Sequence, residues 1–212
     1  MLTNLMEILM SQLTFYTNPM SRGKIIRWML EETGVVYETK VLDYATTMKS
    51  AEFLAINPMG KVPAIKHGSA IVTETPAICA YLAEAFPEAG LAPQTPEERA
   101  AYYRWLFFAA GPLEQALGLK MLKIEVTAEN ERSLGCGNPQ ITLDVLAQAV
   151  NASRYICGER FTAADVYIGS HISFGTRFGM FEERPEFTAY LERVINRPAK
   201  LRADEIDNAL IG

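Results

Sequence analysis

Apolar positions along the first part of the chain change rhythm repeatedly. Leu13 to Tyr16 is a short apolar run of the kind that forms a buried strand. In KIIRWMLEETG, Ile25, Trp28 and Met29 recur at helical spacing, as do Ile26, Met29 and Leu30, and Gly34 supplies a C-terminal stop. Val35 to Leu42 is rich in β-branched residues and predicts a second strand. A short helix is expected from Ala51 to Ile56, closed by Asn57-Pro58. VPAIKHGSAIVT divides into two brief runs around His67-Gly68-Ser69, which is hairpin chemistry. A further helix follows with Thr75 as N-cap and Pro76 at its first position, carrying Ile78, Tyr81 and Leu82 on one face. The predicted order is βαβ, then αββα.

The stretch PEAGLAPQTPEE gathers three prolines and a glycine between periodic segments, which puts a linker at residues 87–96. Beyond it the rhythm is helical. Glu97 to Leu122 carries Tyr102, Trp105, Leu106 and Ala109 along one stripe, and Ile141 to Val150 and Ala163 to Phe174 form further helices, with an interruption at Gly135 to Pro139. The pattern therefore divides the chain into an α/β domain at 12–86, the linker, and an all-helical domain at 97–212. There is no internal repeat.

Composition narrows the function classes. A chain of 212 residues, 49% of them hydrophobic, buries an adequate core. The formal net charge is −5 with Lys and Arg scattered, so the electrostatic footprint of a nucleic-acid binder is missing. Cys79, Cys136 and Cys157 make an odd set with no CxxC pair, and there are only two histidines. Reduced thiols and no bound metal are expected. No positive charge precedes Arg22 and Glu7 interrupts the opening apolar run, so no secretory leader is read. No apolar run reaches the length of a membrane span, and a cytoplasmic location without membrane partners is expected. Met10 offers an alternative translation start ahead of the first strand.

Three segments carry a resemblance. NPMGKVPAI (57–65) followed by TETPAICAYLAE (73–84) is similar to the glutathione-binding half of the cytosolic glutathione transferases, and GERFTAADVYIG (158–169) resembles that family's capping-box segment in the helical half. The likeness spans nearly the whole chain, and its turn chemistry is closest to bacterial serine-type, theta- or beta-like members. It implies an α/β thioredoxin-like N-terminal domain joined to an all-α C-terminal helical domain, with glutathione as cosubstrate, a small-molecule electrophile as the second substrate and a homodimer as the working form.

The resemblance assigns roles along the first domain. Pro63 falls where the family has a cis proline, which leaves the backbone of Val62 to pair with the cysteinyl part of glutathione like an added strand. Thr75, at a helix N-terminus, offers a hydroxyl and a backbone N–H to the γ-glutamyl carboxylate. Glu74 matches the family's acidic or glutamine position at the same end of the ligand. Lys49 and Lys61 lie near the place where relatives carry a basic group for the glycyl carboxylate; a solvated surface lysine is the plain alternative for each. Thr162 and Asp165 form a T-x-x-D capping box, read as structural.

The reacting thiol of glutathione resembles a free cysteine, whose thiolate is the nucleophile yet a minority species at neutral pH. A hydroxyl hydrogen bond to sulfur, beside the positive end of a helix, stabilises the charged form. Within FYTNPMSRG, matching the PMSR turn to serine- or cysteine-type bacterial relatives brings Ser21 to, or one position from, their catalytic residue. Matching Arg27-Trp28 to tyrosine-type relatives brings Tyr16 there instead. Ser21 is preferred and Tyr16 is the competitor, with Asn18 as a loop donor and Arg22 as a nearby positive charge. The plain alternative for Ser21 is helix capping, although the third residue on is Lys24 and the box is incomplete. A serine cannot form the mixed disulfide that cysteine-type relatives use, so thiolate attack on an electrophile, or peroxide reduction, is the expected chemistry. By the same resemblance the electrophile lies between the domains, with Tyr102, Trp105, Phe108, Phe174 and Phe178 as lining candidates; aromatics at helical spacing are otherwise core. The competing readings are a non-catalytic binding or regulatory protein of the same fold, and a glutathione-dependent isomerase or oxidoreductase.

Overall fold

The computed structural model describes residues 13–211. The readings made on residues 1–12, namely the missing leader, the alternative start at Met10 and the domain edge at residue 12, lie outside the described residues. The chain divides into two compact units: one runs to Gly90 and takes in the segment from Pro198 onward, and the other is Leu91–Arg197.

The first unit is built on four strands, β1 (Leu13–Thr17), β2 (Tyr37–Val41), β3 (Ala64–His67) and β4 (Ala70–Thr73), in the order β2-β1-β3-β4. β1 and β2 are parallel, whereas β3 runs antiparallel to both β1 and β4. Every residue of β1 is buried, as its uninterrupted apolar run requires of a central strand. Helix α1 (Gly23–Thr33) ends on a left-handed Gly34 whose N–H reaches the Leu30 carbonyl. Only glycine takes that conformation without steric cost. α2 (Ala51–Leu54) is a single turn capped by Ser50, and α3 (Thr75–Ala85) follows β4. The N-cap of α3 is Glu74, so Thr75 opens the helix instead of capping it and Pro76 sits within the first turn.

The long helix read over Glu97 to Leu122 is broken in the second unit. α4 (Pro96–Phe108) passes through a π-helical stretch at Ala109–Leu113 into α5 (Glu114–Met121). Pro112 sits inside that stretch. A proline ring clashes with the carbonyl four residues back and offers no N–H, and a widened turn accommodates both. α6 (Pro139–Ala152), α7 (Ala163–Arg177) and α8 (Pro185–Val194) complete the unit, with α7 the most buried. At its start, the Asp165 carboxylate accepts from the N–H groups of Ile156 and Thr162, each at 2.8 Å, and from the Tyr190 hydroxyl at 2.8 Å. The capping box read from T-x-x-D is present. Among the described residues no helix is long and apolar enough to cross a membrane.

The helical domain read as running to residue 212 gives up its last helix. α9 (Pro198–Ala209) packs on α1 of the first unit. Its buried positions are Ala199, Ala203 and Asp207, two small residues and a charge, so its apolar period is almost silent in the sequence. The attachment is polar at its centre. Arg27 and Asp207 are each 1% exposed and pair at 3.1 Å. The same guanidinium donates to the Tyr37 hydroxyl at 3.1 Å and to Thr39 Oγ1 at 2.7 Å, and lies 5.0 Å from the centre of the Phe15 ring. Burial, reinforced by the hydrogen bond to Glu31, pushes the Tyr37 phenol up to about 12, so it stays a neutral member of this network. Removing one partner of a buried ion pair leaves the other uncompensated, so Asp207→Ala is expected to cost about 3–5 kcal/mol in urea unfolding. A loss below about 1 kcal/mol, the size of an exposed pair, would show that the pair does not hold α9 in place.

Candidate functional site

The register of the sheet brings the segments that carry Tyr16, Val62-Pro63 and Glu74-Thr75 to one end of the strands. Tyr16 on β1 pairs with Ala64 on β3, and Ala64 pairs with Thr73 on β4. One step beyond that row, β1 runs into Thr17 to Ser21, β3 is preceded by Val62-Pro63, and β4 passes into Glu74-Thr75. At the same edge Leu42, just past β2, donates its N–H to the Thr17 carbonyl at 2.8 Å. Adjacent strands are about 4.8 Å apart, so β1 to β4 spans about 10 Å at this edge, roughly the length of an extended tripeptide.

Ser21 sits in the turn between β1 and α1, half-buried, one position before the N-cap residue Arg22. Its Oγ donates to the Asn18 carbonyl at 2.6 Å and accepts from the Gly23 N–H at 2.9 Å. The hydroxyl thus caps the first helical N–H and stands beside the positive end of α1. Arg22 is exposed. Asn18, expected as a donor to ligand, directs its amide to the protein itself: Nδ2 donates to the Leu42 carbonyl at 2.8 Å and Oδ1 accepts from the Met20 N–H at 2.9 Å. Gly23 is where α1 meets the strand. A Cβ there would stand 1.9 Å from Thr17 Oγ1 and 2.9 Å from Ser21 Oγ.

Tyr16 has a different environment. It is 8% exposed and packs with Met48, Phe53 and Ala64, its ring centre 5.6 Å from that of Phe53. Val62 packs against the same cluster.

The loop before β3 is shaped by a residue whose part the sequence reading missed. Asn57, read only as a helix stop, is buried; its Nδ2 donates to the Lys61 carbonyl at 2.7 Å and its Oδ1 accepts from the Met59 N–H at 3.1 Å. Lys49 Nζ donates to the Gly60 carbonyl at 2.8 Å, while Lys61 is exposed. The Val62-Pro63 peptide is cis, and among the described residues no backbone hydrogen bond engages Val62. At the other end of the row Glu74 holds φ 66°, ψ 117°, a left-handed conformation that costs a non-glycine residue on the order of 1–3 kcal/mol. This corner turns β4 into α3 and leaves Thr75 buried at the helix start.

The five aromatics of the second unit do not share one environment. Tyr102 and Trp105 are 0% and 5% exposed, and Trp105 packs edge-on against Phe108 with ring centres 5.2 Å apart. Phe174 and Phe178 are 42% and 59% exposed and face each other at 4.7 Å. Tyr102 and Trp105 thus have the burial of core residues, which helical spacing alone does not distinguish from a lining.

Two predictions follow from these environments. Burial pushes the Cys157 thiol up to about 12 and raises Cys79 and Cys136 above the ordinary thiol value. A disulfide reagent at neutral pH should therefore leave the native thiols unmodified and react with all of them once the chain is unfolded; a fast-reacting native thiol would contradict this. Gly23→Ala must separate α1 from Thr17 and Ser21, and is expected to cost about 1–3 kcal/mol in denaturant unfolding. An unchanged midpoint would mean the close approach is not a constraint.

Known proteins resemble this chain in sequence and in fold. Residues 11–84 match the Glutathione S-transferase, N-terminal domain family. The chain is 28% identical over 183 residues to glutathione S-transferase A of Pleuronectes platessa, covering 81% of each protein. The crystal structure of a glutathione transferase from Methylococcus capsulatus str. Bath is similar with a TM-score of 0.77 at 27% identity, over 93% of this chain and 99% of that one. A sphingomonad glutathione S-transferase complexed with glutathione gives 0.75 at 25% identity, over 92% and 98%. With its four-stranded mixed sheet, thioredoxin-like N-terminal domain and helical C-terminal part, the chain carries a glutathione S-transferase N-terminal domain at residues 11–84 and is similar to glutathione S-transferases over most of its length.

Proposed function

We propose that this protein is a glutathione transferase in which Ser21 stabilises the glutathione thiolate for attack on an electrophilic small molecule. The observation that supports the reading is the register row Tyr16–Ala64–Thr73: the chain leaves it for the turn that carries Ser21, enters it from Val62-Pro63 and leaves it for Glu74-Thr75, so the three segments adjoin one end of the sheet, where β1 to β4 spans about the length of an extended tripeptide. In this arrangement the cysteinyl backbone pairs with Val62 and the γ-glutamyl carboxylate meets the start of α3 at Thr75, with Glu74 beside it. Lys49 and Lys61 lie on the side of the glycyl carboxylate. The sulfur then falls toward the β1–α1 turn.

Ser21 acts as donor by rotating its proton from the Asn18 carbonyl to the sulfur, because a thiolate is a charged acceptor and the carbonyl a neutral one. The hydroxyl keeps its proton throughout. With the thiol proton released to solvent, the sulfur lone pair forms the new bond to the electrophilic atom as the leaving group departs with its electrons, giving a thioether; in the related reduction the sulfur attacks an oxygen of an organic hydroperoxide, the O–O bond breaks to release the alcohol, and a second glutathione thiol converts the resulting sulfenic acid to glutathione disulfide and water. Tyr16 remains the competing donor in the sequence match, but its burial among Met48, Phe53 and Ala64 favours the serine. The family implies a cytoplasmic homodimer as the working form.

Retention on immobilised glutathione together with conjugation of a chlorodinitrobenzene tests the reading. Wild type should be retained and turn over, Ser21→Ala should be retained with turnover reduced about a hundredfold, and Tyr16→Phe should stay within about threefold of wild type. A wild type that is not retained would sink the transferase reading. Retention without turnover on any electrophile would support the binding-protein alternative, and full activity in Ser21→Ala would return the role to Tyr16.

A further inference from the structure

We infer that Asn18 is a positioning residue that holds Ser21 through the backbone, not a ligand to glutathione. The inference rests on the transferase reading given above and assigns Asn18 a different task from the loop donor suggested by the sequence. Several hydrogen bonds converge on this residue and its neighbours at the end of β1. The backbone ladder between β1 and β2 ends with the Leu42 N–H on the Thr17 carbonyl at 2.8 Å. The Asn18 side chain adds one more rung, its Nδ2 on the Leu42 carbonyl at 2.8 Å. Its Oδ1 accepts from the Met20 N–H at 2.9 Å, closing a turn on itself. The Asn18 carbonyl, fixed by those two side-chain bonds, then receives both the Ser21 N–H at 3.0 Å and the Ser21 hydroxyl at 2.6 Å.

The chain of consequence is short. Leu42 lies just past β2 and is itself bonded to the Thr17 carbonyl, so the Asn18 carbonyl that receives Ser21 is tied to the end of the sheet. Released from Leu42, the turn keeps its sequence and its serine but loses the anchor for the Ser21 backbone, whose N–H stays on the Asn18 carbonyl when the hydroxyl proton turns to the sulfur. A donor misplaced by a fraction of an ångström stabilises the developing reaction poorly while leaving the rest of the tripeptide site intact. The loss should therefore fall on turnover and on thiolate formation, with little effect on binding.

The test uses the full-length chain with glutathione and a chlorodinitrobenzene, comparing wild type, Asn18→Ala, Asn18→Ser, Ser21→Ala and Asn18→Ala/Ser21→Ala. Serine at residue 18 is too short to reach the Leu42 carbonyl but keeps an acceptor for Met20, so it isolates the rung to the sheet if the alanine variant folds poorly. Either residue-18 variant should lower kcat about tenfold or more with glutathione KM changed less than about threefold. The rising limb of kcat/KM against pH should also move to higher pH, since a less stabilised thiolate forms later. In the Ser21→Ala background, Asn18→Ala should cause no further loss, because the two act as one unit. Equal losses in both backgrounds, or a loss confined to KM, would overturn the inference while leaving the transferase reading in place. A wild type without turnover would overturn both.

Discussion

The site in the first unit depends on how closely α1 approaches the end of β1. A side chain on Gly23 would overlap Thr17 Oγ1, so the helix begins at a distance that only glycine allows. That approach brings the Gly23 N–H within 2.9 Å of Ser21 Oγ and sets the half-buried hydroxyl at the positive end of an eleven-residue helix. The middle of the same helix is held through Arg27 and its buried partners on β2 and α9. A helix held at both its strand contact and its outer face leaves the turn between them few ways to move. The position of Ser21 is therefore a property of the packing of the whole unit and not of the loop alone.

Two asparagines extend that rigidity to the neighbouring loops. Asn18 and Asn57 use the same device, an amide whose oxygen closes a turn two residues ahead and whose nitrogen ties a carbonyl farther along the chain. One anchors the turn that carries Ser21; the other shapes the approach to Val62-Pro63. The helical unit has its own polar centre in Asp165, whose carboxyl burial pushes up to about 6 against the pull of its backbone and tyrosine donors. That network sits at the start of α7 and accounts for the T-x-x-D pattern as a structural feature of the unit.

Much of this was legible in the sequence because it is written in local terms. Apolar rhythm marked β1, α1 and the β3–β4 hairpin; Gly34 marked the helix end; Val62-Pro63, Glu74-Thr75 and the Thr162–Asp165 box carried the family likeness. What escaped was non-local or silent in hydrophobicity. α9 is buried through Ala199, Ala203 and Asp207, so no apolar period announced it, and its partner Arg27 lies far away in sequence. The break in the long helix follows from Pro112, whose effect on helix geometry the periodicity of Tyr102, Trp105 and Leu106 concealed. The part played by Asn18 depends on Leu42 being one strand away, which no single-residue reading supplies. Tyr16 and Ser21 were equally visible as hydroxyls; only the packing of Tyr16 into the Met48–Phe53 cluster separates them.

The central claim is that Ser21 stabilises a thiolate on glutathione bound at this edge of the sheet. Its most direct test is a pH titration of the thiolate's ultraviolet absorbance for glutathione bound to the wild-type protein and to Ser21→Ala. Bound to wild type, the thiol should ionise well below the free-cysteine value of about 8.5, and the serine variant should move it back toward that value. Ionisation at the same pH in both proteins, or at the value of free glutathione in wild type, would contradict the account.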